Sequence, residues 1–102
     1  MQINVDTVGN TVNIRLNGRF NFDSHREFRS AYDPHLNNTA VANIDIDLSK
    51  VDYLDSSALG MLLMLRERAQ AASKKLTLSK PSQNVAQILD IANFAKLFEI
   101  KS

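Results

Sequence analysis

Apolar and polar residues alternate strictly over four stretches of this chain. Ile3 and Val5 alternate with Asn4 and Asp6, and Val12, Ile14 and Leu16 with Asn13, Arg15 and Asn17. Ile44, Ile46 and Leu48 alternate with Asn43, Asp45 and Asp47, and Leu76 and Leu78 with Thr77 and Ser79. Period two predicts a strand at each place. Gly9-Asn10 predicts a tight hairpin turn between the first two strands, which makes them antiparallel neighbours. Gly18 is expected to break the second strand. Leu97 to Ile100 reads as a short last edge strand.

Helical spacing fills the gaps. Ser24 with Glu27 three residues later spells a capping box, and a helix is predicted from about Ser24 to Tyr32, burying Phe28, Ala31 and Tyr32. Asp33-Pro34 is expected to end or distort it. Phe20 to Phe22 reads as a short apolar link, and Ser49 to Asp55 as a loop that tucks Val51 and Leu54 inward. A second helix is predicted from about Ser56 to Ala72, with Lys74-Lys75 near its negative end. A third helix follows Lys80-Pro81, capped by Ser82, buried through Val85, Ile88, Leu89 and Ala92, and ended by Asn93.

The element order is therefore β-β-α-β-α-β-α-β. A parallel sheet covered on both faces would show unbroken apolar runs rather than alternation. The prediction is an α/β fold with a mixed sheet of about five strands, opened by a β-hairpin, with helices mainly on one face. Asn4, Asn13, Arg15, Asp45, Asp47 and Thr77 should lie on the other face.

Composition narrows the function. The 102 residues suit a single domain spanning 1–102. Twelve basic residues against eleven acidic ones leave a formal charge of +1. That balance gives no electrostatic case for nucleic acid or a membrane surface as a direct partner. With no cysteine there is no disulfide, thiol nucleophile or thiolate metal site. The first residues, M-Q-I-N-V-D, lack a secretory pattern, so a cytoplasmic location is expected. His25 and His35 stand far apart without neighbouring ligands at metal spacing, and neither is expected to activate Ser56 or Ser57. Asp45 and Asp47 should point away from Asp55, so no catalytic carboxylate pair is expected. The three glycines are scattered, so no phosphate loop exists. No cofactor, metal site or catalytic residue is expected.

The richest chemistry lies at Asp55-Ser56-Ser57, where a strand exit meets the second helix. Such a junction presents free backbone N–H groups and the positive end of a helix dipole. One reading is a well-capped helix. The other is an exposed serine where a phosphate could be added and tolerated. On a helical wheel Ala58, Leu62, Leu65, Ala69 and Ala72 share one face, flanked by Met61. Leu63 and Met64 fall elsewhere, near Gly60, Glu67 and Ser56. They either pack locally or form an apolar docking strip beside the serine, with Gly60 allowing close approach.

Asp55 with Lys80-Pro81 is reminiscent of phospho-accepting receiver domains, but the hairpin opening and short length argue against one. The block Asp55-Ser56-Ser57-Ala58-Leu59-Gly60 instead resembles the D-S-S-G/A-L-G segment of STAS domains of bacterial anti-sigma factor antagonists. The preceding I-D-I-D-L-S-K-V-D-Y-L, the later I-L-D-I-A-N-F-A-K-L-F-E-I and Gly18-Arg19-Phe20 extend the similarity over nearly the whole chain. The resemblance implies that Ser56 is a phosphoacceptor. It implies that Asp55, Ser57, Gly60, Leu63 and Met64 dock a partner. It also implies partner switching: binding to an anti-sigma factor or serine kinase-like protein when unphosphorylated, release on phosphorylation, and resetting by a serine phosphatase. A STAS subunit of a membrane transport complex, with a constant protein contact, is the alternative. Two departures stand out. The aspartate that often follows the glycine is Asn21 here, or is displaced to Asp23, and many relatives carry a final helix beyond the position of Ser102.

Overall fold

The computed structural model describes residues 1–102. Five strands form one sheet in the order β1-β2-β3-β4-β5. They are β1 Gln2–Val8, β2 Thr11–Phe20, β3 Asn43–Leu54, β4 Lys75–Ser79 and β5 Glu99–Lys101. The β1–β2 hairpin is antiparallel, turning at Gly9 with φ +61°, and every later pairing is parallel. Helices α1 His25–Leu36, α2 Ser56–Ala71 and α3 Gln83–Ile91 make the three crossovers. Each crossover steps one strand in the same direction, and right-handed connections then put all three helices on one face.

The alternation read from the sequence supplies the core. Val12, Ile14, Leu16, Ile44, Ile46, Leu48 and Leu78 are buried beneath Phe28, Tyr32, Leu62, Leu65, Val85 and Leu89. The opposite face carries polar pairs: Arg15 to Asp6 at 3.1 Å, Lys75 to Glu99 at 3.1 Å, and the Ser79 hydroxyl donating to Asp45. Thr77 is on that face as expected, but its neighbours bury it, and its hydroxyl donates to Glu99 at 3.2 Å. No helix is long and apolar enough to cross a membrane.

Three expectations need correction. First, β2 does not stop at Gly18, and the stretch after Ser49 is not a loop. β3 runs twelve residues to Leu54 and stays paired with β2 as far as Phe20↔Leu54. Two register shifts in this pairing give β3 extra residues, and Gly18 takes φ +109°, which favours glycine. The bulges change the inward spacing from two to three, through Leu48, Val51 and Leu54. That is why the sequence looks loop-like there.

Second, α1 runs on through Pro34 to Leu36. The proline removes one backbone donor, but buried Tyr32 and the core contacts of Leu36 hold the last turn. Asp33 adds exposed ion pairs to Arg29 at 3.7 Å and Arg68 at 3.6 Å. Third, Ser24 does not pair with Glu27 in a capping box. Asn21 and Ser24 cap a single 3-10 turn, Phe22–Ser24, that precedes α1. The Asn21 carboxamide accepts from the Asp23 amide at 3.0 Å, while the Ser24 hydroxyl accepts from the Asn21 amide and donates to the Arg19 carbonyl.

On the open face, burial pushes the Asp47 carboxyl up. The Ser49 hydroxyl and amide, with Lys80 and Arg15, more than offset this and hold it below the ordinary aspartate value. A depressed folded pKa stabilises the fold above the unfolded value and loses that stabilisation as pH falls through the folded one. In urea denaturation at neutral pH and at about pH 3, the wild type should lose more stability on acidification than Asp47→Asn. Equal losses would remove Asp47 from the acid response.

Candidate functional site

The site is built where β3 hands over to α2. Phe20 and Leu54 pair at the ends of their strands, and the Asp55 amide donates to the Phe20 carbonyl at 3.3 Å. Asp55 is extended, with φ −102° and ψ −179°, as a capping residue must be. Its carboxylate accepts from the Ala58 amide at 2.9 Å, and its carbonyl accepts from the Leu59 amide at 3.2 Å. Asp55 is therefore the N-cap and Ser56 the first helical residue.

The other side of this junction is also tied down. β3 outruns β4 beyond Asp47↔Ser79, so its last carbonyls need other partners. The Ser82 hydroxyl donates to the Val51 carbonyl at 3.0 Å, and the Asn84 carboxamide donates to the Asp52 carbonyl at 3.0 Å. Ser82 also caps α3 by accepting from the Val85 amide, as the sequence predicted. Arg19 lies over the Tyr53 ring at 4.8 Å, closing the strand ends.

Ser56 is exposed. The capping position is taken by Asp55, so the Ser56 hydroxyl has no structural duty. Ser57, Gly60 and Met64 come together with Met61, Phe22 and His25 around a hollow of about 340 Å³. Two of its residues expose unusual apolar area: Phe22 is 70% exposed and Met64 45%. The lining contains no lysine or arginine.

Leu63 stands apart from this group. It is half-buried against the core on the other shoulder of α2 and does not line the hollow. Its neighbour Arg66 reaches away, donating to the Leu97 carbonyl at 2.6 Å. Asp45 and Asp47 lie on the uncovered sheet face with Ser79 and Lys80, not beside Asp55. Gly60 is exposed, and a Cβ built there would meet nothing within 4 Å. A side chain at this position would thus project into the space above the hollow without disturbing the fold.

Phe22 and His25 were missed by sequence reasoning. Phe22 read as a connecting residue because it belongs to no periodic stretch. His25 shares the hollow with Ser57 but makes no hydrogen bond to it. The short turn capped by Asn21 and Ser24 turns both residues toward α2. The sequence signal for it was Asn21 followed three residues later by Ser24.

Losing the cap has a defined cost. Asp55→Ala should lower stability by about 1 kcal/mol in urea denaturation, and Asp55→Asn should restore most of it, because Asn caps nearly as well. An unchanged midpoint for Asp55→Ala would show that the cap does not hold the start of α2.

Comparison with known proteins places this geometry. The family model described as "Mlab, STAS domain" matches residues 3–99. A STAS-domain containing protein of Pseudomonas aeruginosa (strain UCBPP-PA14) is 42% identical over 94 residues, covering 90% of this chain and 89% of that protein. Among solved structures, a candidate anti-sigma factor antagonist of Thermotoga maritima superposes with TM-score 0.88 at 21% identity, over 98% of this chain and 86% of the other. The Bacillus cell fate determinant SpoIIAA in its phosphorylated form gives TM-score 0.75 at 19% identity, over 99% and 92%. A sulfate transporter family protein of Wolinella succinogenes gives 0.78 at 16% identity, over 90% and 76%. At these identities the structural matches establish a shared fold.

Proposed function

The chain belongs to the STAS domain family, and from that premise we propose that it is a phosphorylation-controlled binding module of the anti-sigma factor antagonist kind, acting in the cytoplasm without catalysis of its own. The observation that carries this reading is the exposed Ser56 hydroxyl, free of capping duty, one residue before Ser57 in the lining of a hollow formed with Phe22, His25, Gly60, Met61 and Met64. Unphosphorylated, the module docks an anti-sigma factor or serine kinase-like protein over this surface. A kinase transfers phosphate to the Ser56 oxygen, the partner leaves, and a serine phosphatase restores the hydroxyl.

The physics of the switch is local. A phosphoserine carries nearly two negative charges at neutral pH. At the first turn of α2 the helix dipole and free N–H groups accommodate that charge, so the fold persists. A partner lying over the apolar hollow would have to desolvate the same charge with no lysine or arginine in the lining to answer it. In this arrangement Asp55 positions the helix start, while Ser57, Gly60 and Met64 form the docking wall with Phe22. Leu63 contributes by supporting α2 from its other side.

The runner-up is a STAS subunit of a transport complex, favoured by the likeness to the Wolinella sulfate transporter family protein. There the α2 surface would be a permanent contact that needs no phosphoacceptor. Mass spectrometry of the protein from growing cells separates the two. Phosphate on Ser56 supports the switch. Its absence under all conditions, with stable co-purification of membrane components, supports the transport subunit.

Ser56→Ala should capture its partner from lysate under all growth conditions. In a titration with that partner, Ser56→Asp should bind about a hundredfold more weakly, equivalent to ~2.8 kcal/mol. Equal affinities for the two variants would defeat the switch.

A further inference from the structure

We infer that the outer edge of β1, with the groove beside it, is a self-association surface through which two copies of this chain join into one continuous sheet. β1 is the end strand of the sheet, and its outer side pairs with nothing in the chain. Exposed edges are usually short, charged, bulged or interrupted by proline, because a bare edge recruits another strand. The opposite edge follows that rule: β5 has three residues and carries Glu99 and Lys101. β1 does not. It has seven residues, Q-I-N-V-D-T-V, with no lysine or proline, and its register with β2 runs unbroken from Gln2↔Asn17 to Val8↔Thr11. Its one charge, Asp6, is engaged by Arg15 at 3.1 Å.

The core is also unfinished at this edge. Val5 pairs with Ile14, which is fully buried, yet Val5 itself is 41% exposed. Ile3 and Val5 form the floor of a groove of about 550 Å³ whose other wall is Arg26, Glu27, Ser30 and Ala31 of α1. This is apolar surface of the covered side of the sheet, left without a cover.

A second copy related by a two-fold axis fits both features. An axis perpendicular to the sheet pairs β1 antiparallel with its own copy, the closed isologous arrangement in which one patch serves both partners. α1 packs on both β1 and β2. Two such helices would then lie about two strand spacings apart, or ~10 Å, which is close to the distance at which helices pack. Ser30 and Ala31 are small enough for that approach. They lie further along α1 than Arg26 and Glu27, nearer the middle of β1 where the axis passes. The groove carries one base, Arg26, and one acid, Glu27, and so favours neither an acidic nor a basic foreign peptide. It shares no residue with the hollow lined by Ser57, so pairing and the phosphate switch stand or fall independently.

Sedimentation velocity on the purified chain, from micromolar to millimolar concentration, tests this. The wild type should show a concentration-dependent dimer. Val5→Lys, which adds a charge at an exposed position, should weaken the dimer about tenfold or more while circular dichroism stays native. Ser30→Glu, which brings like charges together where the two α1 helices approach, should weaken it as well. A wild type that is monomeric at every concentration overturns the proposal, even if it captures an added extended peptide. So does a dimer that Val5→Lys leaves unchanged.

Discussion

One hydrogen bond organises the functional end of this molecule: the Ala58 amide donating to the Asp55 carboxylate at 2.9 Å. A helix start needs its free amides answered, and serine is a good residue for the task. Two serines follow Asp55, and either could have been drawn into capping had the helix begun one or two residues later. With Asp55 in that role, the helix is anchored by a side chain that points back along its own axis. The next hydroxyl is left exposed and unengaged. The same bond places a carboxylate at the positive end of the dipole, where it is stabilising. The start of α2 therefore does not depend on the Ser56 hydroxyl for its cap.

The position of Asp55 is set by the irregular half of β3. The bulges keep β3 paired with β2 up to Leu54 while rotating Val51 and Leu54 into the core. Bulges bend and twist a strand, and here they aim its exit toward the covered face, where α2 must begin. The carbonyls that outrun β4 are taken by Ser82 and Asn84 at the start of α3. At the same end of the sheet, Asn21 and Ser24 fix the turn that carries Phe22 and His25 against α2. Three connections after parallel strands thus converge on one surface, as the carboxyl ends of strands commonly do in α/β sheets.

The sequence made the regular parts legible. Period two identified β1, β2, β4 and the first half of β3, and Gly9-Asn10 identified the hairpin. Period 3.6 identified α2 within one residue and its buried set of Ala58, Met61, Leu62, Leu65 and Ala69, while Ala72, read as part of that face, ends the helix half-buried. Where it failed, a local rule was overridden by tertiary contacts. Pro34 is a stop signal taken alone, but Tyr32 and Leu36 pack well enough to carry the helix past it. The bulged half of β3 loses its alternation, so no periodic test could find it. Ser24 and Glu27 match a capping box by spacing, yet the Ser24 hydroxyl is committed to Arg19 and Asn21. The chemistry-bearing block at 55–57 was visible because it is continuous in sequence. Phe22 and His25 belong to the same surface through the fold alone, and only the structure joins them.

The central claim is that charge at Ser56 alters docking and leaves folding untouched. The most direct measurement is an amide NMR spectrum of the protein carrying genetically encoded phosphoserine at position 56, recorded with and without the partner captured by the unmodified form. The account predicts a native, well-dispersed spectrum, with shifts from the unmodified protein confined to the start of α2 and the Phe22–His25 turn, and no change when the partner is added. Shift changes spread through the sheet, or the same partner-induced changes as in the unmodified protein, would contradict it.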